Sequence, residues 1–128
     1  MVGYNDDDGG LEALLALDGA SFAIGPDVLV EITARRTDLT VERPHGISYA
    51  LVLRARSGGP PWVRFDNAHA VERTGGTYRP RRASYDHWHR TAKDKGRPYE
   101  FTTAAMLLDD FWREVKRTLD DQGIPHDL

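Results

Sequence analysis

The sequence predicts an α+β fold in which an antiparallel meander of four to five strands packs against one long C-terminal helix, with a short N-terminal helix. Three observations favour this fold. Apolar and polar residues alternate in two segments of the first half, as in strands that bury one face. Gly and Pro residues separate the strand-like segments at hairpin spacing. After Thr102 apolar residues recur every three to four positions, as in an amphipathic helix.

The predicted elements follow one another along the chain. Residues 1–10, rich in Asp and Gly, are predicted to be a disordered lead, which leaves 11–128 as a single domain. A short helix is predicted at Leu11–Leu17. Strands are predicted at Phe22–Ile24, Val28–Arg35, Ile47–Arg56, Trp62–Val71 and Tyr78–Arg90. Thr102 or Thr103 is the expected N-cap of the long helix, and Gly123 its expected stop.

The composition excludes several classes of protein. The chain has no cysteine, which removes disulfides, thiolate nucleophiles and the usual zinc-finger ligand sets. It contains no phosphate-binding glycine loop, no dinucleotide fingerprint and no nucleophile elbow. With no secretory signal pattern and no apolar run of membrane-spanning length, we expect a cytoplasmic protein that does not contact the membrane.

Charge is distributed unevenly. Between Arg64 and Arg97 lie nine basic and four acidic residues, a net +5, which leaves −8 for the rest of a chain whose net charge is −3. A local basic field on an acidic protein is typical of a site for an anionic ligand such as RNA. The alternative is that the Arg-rich stretch at 79–82 is only a solvated hairpin tip.

Three of the five histidines lie in two short polar segments within this basic region. The first segment, 64–69, reads Arg-Phe-Asp-Asn-Ala-His, and the second, 86–90, reads Asp-His-Trp-His-Arg. Histidine can exchange protons near neutral pH or bind a metal as the neutral ring. The candidate catalytic residues are His69, His87, His89, Asp66 and Asp86, and the candidate substrate-binding residues are Arg64, Asn67, Arg81, Arg82 and Arg90.

Strand alternation predicts how these side chains would divide if the two segments pair. One face would gather Asn67 with the histidines 69, 87 and 89. The other would gather Asp66 and Asp86 with Arg64 and Arg90. A β-bulge near either segment would mix the two sets.

The leading functional hypothesis is a small ribonuclease without a cofactor. Two histidines would act as general acid and base, an aspartate would orient an imidazole, and arginines would stabilise charge on the phosphate. RNA is the natural substrate because its 2′-hydroxyl can attack the adjacent phosphate once it is deprotonated.

Three alternatives stay open. The His-x-His pair at 87 and 89, with His69 or Asp66 as a third ligand, would suit a divalent metal in a phosphodiester hydrolase. A non-catalytic module would instead present Arg81 and Arg82 to nucleic acid or to an acidic partner. In the third, the histidines are ordinary strand and turn residues.

The order of these segments resembles the TumE-type toxins of prokaryotic toxin–antitoxin pairs. The resemblance rests on an aromatic-Asp-Asn segment with a histidine two residues later, a His-rich segment, and a helix after Phe101, and it covers about residues 45–120. It implies a toxin that acts on RNA and is neutralised by a helix-turn-helix antitoxin. The matching positions are Asp66, Asn67, His69, His87 and His89.

Exposed edge strands would also allow a homodimer.

Overall fold

The computed structural model describes residues 9–39, 46–67, 86–89 and 97–128. In chain order the elements are α1 (Leu11–Ala16), β1 (Ala20–Gly25), β2 (Val28–Arg36), β3 (Ile47–Ala55), β4 (Val63–Asp66), β5 (His87–His89), β6 (Arg97–Pro98) and α2 (Ala104–Asp121). Each strand pairs antiparallel with the next, so the spatial order of the sheet is the chain order. The predicted α+β class, with its meander and two helices, is confirmed. The two-residue β6 extends the sheet beyond the predicted strands.

Alternation in β2 and β3 gives the sheet one buried face. The two strands pair from Val28 opposite Ala55 to Arg36 opposite Ile47. Every second residue is buried against the helices, namely Val28, Val30, Ile32, Ala34, Ile47, Tyr49, Leu51 and Leu53. We call this buried side the inner face of the sheet and the opposite side its outer face. The predicted bounds of both strands agree with the structure to within one residue.

Helix α2 covers the inner face. Its buried residues recur at helical spacing and are Ala104, Leu107, Phe111, Val115 and Leu119. The ring of Phe111 meets that of Phe65 on β4 edge to face, with the centroids 5.8 Å apart. This contact fixes the helix above the strand that carries the first polar segment.

Both ends of α2 are capped as the sequence predicts. The Thr103 hydroxyl accepts a hydrogen bond from the Met106 backbone N–H at 3.1 Å. At the other end Gly123 has φ 68°, its N–H donates to the Asp120 carbonyl, and the Ile124 N–H donates to the Leu119 carbonyl. This pair of bonds is a Schellman motif, which needs the left-handed conformation that glycine adopts at low cost.

The segments next to the helices are packed against the rest of the protein. The Gly9 carbonyl accepts a hydrogen bond from the Ala105 N–H at 2.6 Å, so Gly9 contacts the first turn of α2. Residues 1–8 of the predicted lead lie outside the described residues. After α2, the His126 imidazole contacts Asp120 at 2.7 Å.

In the described parts of the chain, neither helix combines the length and the apolarity needed to cross a membrane.

Candidate functional site

The register of β4 and β5 determines which polar residues share a face. Arg64 pairs with His89, Phe65 with Trp88, and Asp66 with position 87. Phe65 and Trp88 lie on the inner side, where their rings stack with centroids 5.4 Å apart.

Directly opposed residues in an antiparallel pair project to the same side of the sheet. His89 therefore lies with Arg64 on the outer face. The prediction that grouped His89 with Asn67 is wrong, because His89 pairs with Arg64 and so shares a face with Arg64 and Asp66.

Arg64, Asp66 and His89 form the cluster that we call the outer-face triad. Arg64 Nε lies 2.8 Å from Asp66 Oδ2, and His89 Nε2 lies 4.0 Å from the same oxygen. Exposure of the side chains increases from 3% for Asp66 through 12% for His89 to 30% for Arg64. The carboxylate is thus at the bottom of the cluster, and the guanidinium is its most accessible member.

This arrangement has a definite chemical capacity. A buried carboxylate beside an imidazole can hold the ring in one orientation and stabilise the imidazolium when it forms. The distance of 4.0 Å exceeds that of a direct hydrogen bond, and contacts of this kind commonly tighten when substrate binds. A partly exposed guanidinium next to the imidazole offers planar donors for a phosphate.

Asp86, the second predicted catalytic carboxylate, bonds to a tyrosine of the inner face. Its Oδ2 accepts a hydrogen bond of 2.7 Å from the Tyr49 hydroxyl in the interior of the protein. Burial raises the pKa of Tyr49 well above its usual value, and the charge of Asp86 and its hydrogen bond raise it further. The predicted grouping of Asp86 with Asp66 on one face is therefore wrong, since Asp86 joins a tyrosine of the inner face.

Asn67 holds the end of β4 against β3. Its side-chain carbonyl accepts from the Tyr49 backbone N–H at 3.0 Å, and its amide donates to the Ile47 carbonyl at 2.9 Å. The backbone N–H of Asn67 also donates to the Tyr49 carbonyl at 3.3 Å. A carboxamide has the donor and acceptor of a peptide group, so this fully buried side chain extends the β ladder by one unit.

Other predicted site residues lie outside what the structure describes. These are His69, Arg81, Arg82 and Arg90. For His87 the structure gives the backbone position, opposite Asp66. Among residues 9–39, 46–67, 86–89 and 97–128, no three His, Asp or Glu side chains are grouped as metal ligands.

Tyr49 is the residue of this region that sequence reasoning missed. Alternation in the predicted strand Ile47–Arg56 indicates only that Tyr49 shares a face with Ile47 and Leu51. The available signal was a tyrosine among aliphatic inward positions, because a buried phenol normally requires a hydrogen-bond partner. A second tyrosine–carboxylate pair, which is half-buried, joins the segment after β6 to α2, with the Tyr99 hydroxyl donating to Asp110 at 2.5 Å.

The fold and the triad define a small α+β protein with a cluster of a carboxylate, an imidazole and a guanidinium on one face of an antiparallel sheet. Residues 20–119 match the model of a protein family described as toxin TumE. The chain belongs to this family, and the resemblance seen in the sequence is confirmed. Membership indicates a toxin of a toxin–antitoxin system and implies an antitoxin partner. No curated protein and no solved structure matches the chain.

Proposed function

We propose that the chain is a toxin that cleaves RNA by histidine acid–base catalysis at the outer-face triad. The observation that carries this proposal is the buried Asp66 carboxylate with Arg64 and His89 at the same oxygen. A carboxylate–imidazole pair next to a guanidinium contains the groups that phosphodiester transesterification requires.

The reaction uses the nucleophile that RNA itself supplies. A general base takes the proton of the 2′-hydroxyl, and the 2′-oxygen attacks the adjacent phosphorus. The bond from phosphorus to the 5′-oxygen breaks, and a general acid protonates the leaving oxygen. The products are a 2′,3′-cyclic phosphate and a 5′-hydroxyl. His89 supplies one of the two proton transfers, and His69 or His87 supplies the other.

The remaining side chains have supporting roles in this proposal. Asp66 orients the His89 ring. Arg64 binds the phosphate on which negative charge develops, with Arg90 and the pair Arg81 and Arg82 as further contacts to the RNA backbone. The antitoxin is a helix-turn-helix protein, as the family resemblance implies.

Asn67 and Asp86 take different roles from those predicted. Both side chains are buried, and their described hydrogen bonds go to β3. We assign them to holding the two strands, and the acid–base chemistry to the histidines.

RNA cleavage by purified protein tests the proposal. His89→Ala should reduce the cleavage rate at least about 100-fold, the usual contribution of a general acid or base. His126→Ala is the matched control, because His126 contacts Asp120 at the end of α2 and should leave the rate unchanged. For the arginine, the cleavage rate of Arg64→Ala is compared with that of Arg54→Ala. Arg54 is the control because its guanidinium is bound to Glu31 on the same sheet.

Each reaction is run with and without EDTA. Cleavage that survives EDTA and requires His89 supports the proposal. Cleavage lost with EDTA would assign the histidines to a metal site instead. If the wild type does not cleave RNA in either condition, and its affinity for RNA falls with rising salt and with changes at Arg81 and Arg82, the chain is a binding module.

A further inference from the structure

We propose that Tyr49 is a positioning residue that sets the register of β5 and thereby places His89 beside Asp66. This inference rests on the proposed function, because it concerns the same site. Tyr49 lies on the inner face of β3 and does not belong to the triad.

Tyr49 contacts both residues that flank the segment between β4 and β5. Its backbone N–H donates to the Asn67 side chain at 3.0 Å, and its carbonyl accepts from the Asn67 N–H at 3.3 Å. Its hydroxyl donates to Asp86 Oδ2 at 2.7 Å. One residue of β3 is therefore bonded to the end of β4 and to the position just before β5.

The start of β5 is held from the other side as well. The Tyr99 backbone N–H donates to the Asp86 carbonyl at 2.8 Å. Asp86 is thus fixed through its side chain by β3 and through its backbone by the segment after β6.

A three-residue strand needs such an anchor because few ladder bonds specify its register. A slip by one residue would exchange the faces of β5. His89 would turn towards the inner face, away from Asp66, and Trp88 would lose its stack on Phe65. The same slip would pull the Asp86 carboxylate away from the Tyr49 hydroxyl, so this buried charge-assisted bond opposes it.

The test compares Tyr49→Phe with Tyr99→Phe. Each change removes one phenolic hydroxyl that donates to a carboxylate. The Tyr49 hydroxyl donates to Asp86, the residue next to β5, whereas the Tyr99 hydroxyl donates to Asp110 on α2. Tyr49→Phe should lower kcat for RNA cleavage by about 10- to 100-fold with KM unchanged, as expected for misplacement of a catalytic group. Tyr99→Phe should leave kcat unchanged.

NMR of the His89 ring gives a second readout that does not depend on catalysis. The ring resonances should move in Tyr49→Phe and stay in place in Tyr99→Phe. Asp86→Asn keeps an acceptor for the hydroxyl and should preserve the wild-type resonances. If Tyr49→Phe does not fold, Asp86→Ala removes the same bond from the other side and should move the resonances.

The outcomes separate the two proposals. Unchanged His89 resonances and unchanged kcat in folded Tyr49→Phe would overturn the positioning role, even if the wild type cleaves RNA. A wild type without ribonuclease activity would refute the proposed function, while the NMR comparison would still decide the role of Tyr49. Equal shifts in Tyr49→Phe and Tyr99→Phe would also overturn the inference, because they would indicate a general loosening of the core.

Discussion

Replacing Asn67 with alanine removes a side chain that serves as a peptide group at the end of β4. The change leaves two buried backbone groups without their hydrogen bonds, the N–H of Tyr49 and the carbonyl of Ile47. Each such group costs about 1–3 kcal/mol. Since water can enter part of the space that the amide vacates, we expect a loss of about 3 kcal/mol in the free energy of unfolding.

Urea unfolding followed by tryptophan fluorescence measures this loss. With an m value of about 1.5 kcal/mol/M, the midpoint should fall by about 2 M while m stays constant. Thr33→Ala is the control, because its exposed hydroxyl donates to the Ala50 carbonyl at 3.5 Å and its loss should cost less than about 0.5 kcal/mol. A loss for Asn67→Ala below about 1 kcal/mol would refute the view that this amide completes the ladder.

Two further predictions concern the core. Phe111→Ala should cost about 3–5 kcal/mol in urea unfolding, because it removes a fully buried ring from the sheet–helix interface. The control Met106→Ala, at an exposed position of the same helix, should cost less than about 0.5 kcal/mol, and similar losses for the two variants would contradict the assigned core. The second prediction concerns pH, because the pKa of Tyr49 is raised in the folded state. Above about pH 10 the unfolded chain loses this phenolic proton while the folded chain keeps it. The folded state then binds more protons than the unfolded state. The contribution of Tyr49 to the free energy of unfolding is therefore fully present below about pH 10, and it falls by about 1.4 kcal/mol per pH unit above that pH. Unfolding measured between pH 9 and 11 should show a shallower decline for Tyr49→Phe, and equal slopes for the two proteins would refute the raised pKa.

The sequence was sufficient to predict those strands and helices whose formation depends on local patterns. Alternation identified β2 and β3, and the helical period with Thr103 and Gly123 identified α2 and its ends. Each of these signals comes from residues within or next to a single strand or helix. The alternation and the helical period also indicate directly which face of that element is buried.

The arrangement of the site could not be predicted in this way. The strand β5 has three residues, so alternation alone cannot specify its register against β4. That register depends on tertiary contacts, such as the stacking of Trp88 on Phe65. The partner of Asp86 is Tyr49, 37 positions away in the chain, and no local pattern connects the two. For this reason sequence reasoning placed Asp86 with the catalytic groups.

The chain-order meander has a consequence for synthesis on the ribosome. Among the described residues, the six strands β1 to β6 precede α2, and each strand after β1 pairs with the one made just before it. A nascent chain can therefore build the sheet progressively, but the apolar inner face stays open until Leu107, Phe111 and Val115 emerge. Helix α2, which is translated after the sheet, therefore closes the core. A chain interrupted before residue 104 would lack the packing that supports the triad, so toxicity should require that α2 has been synthesised.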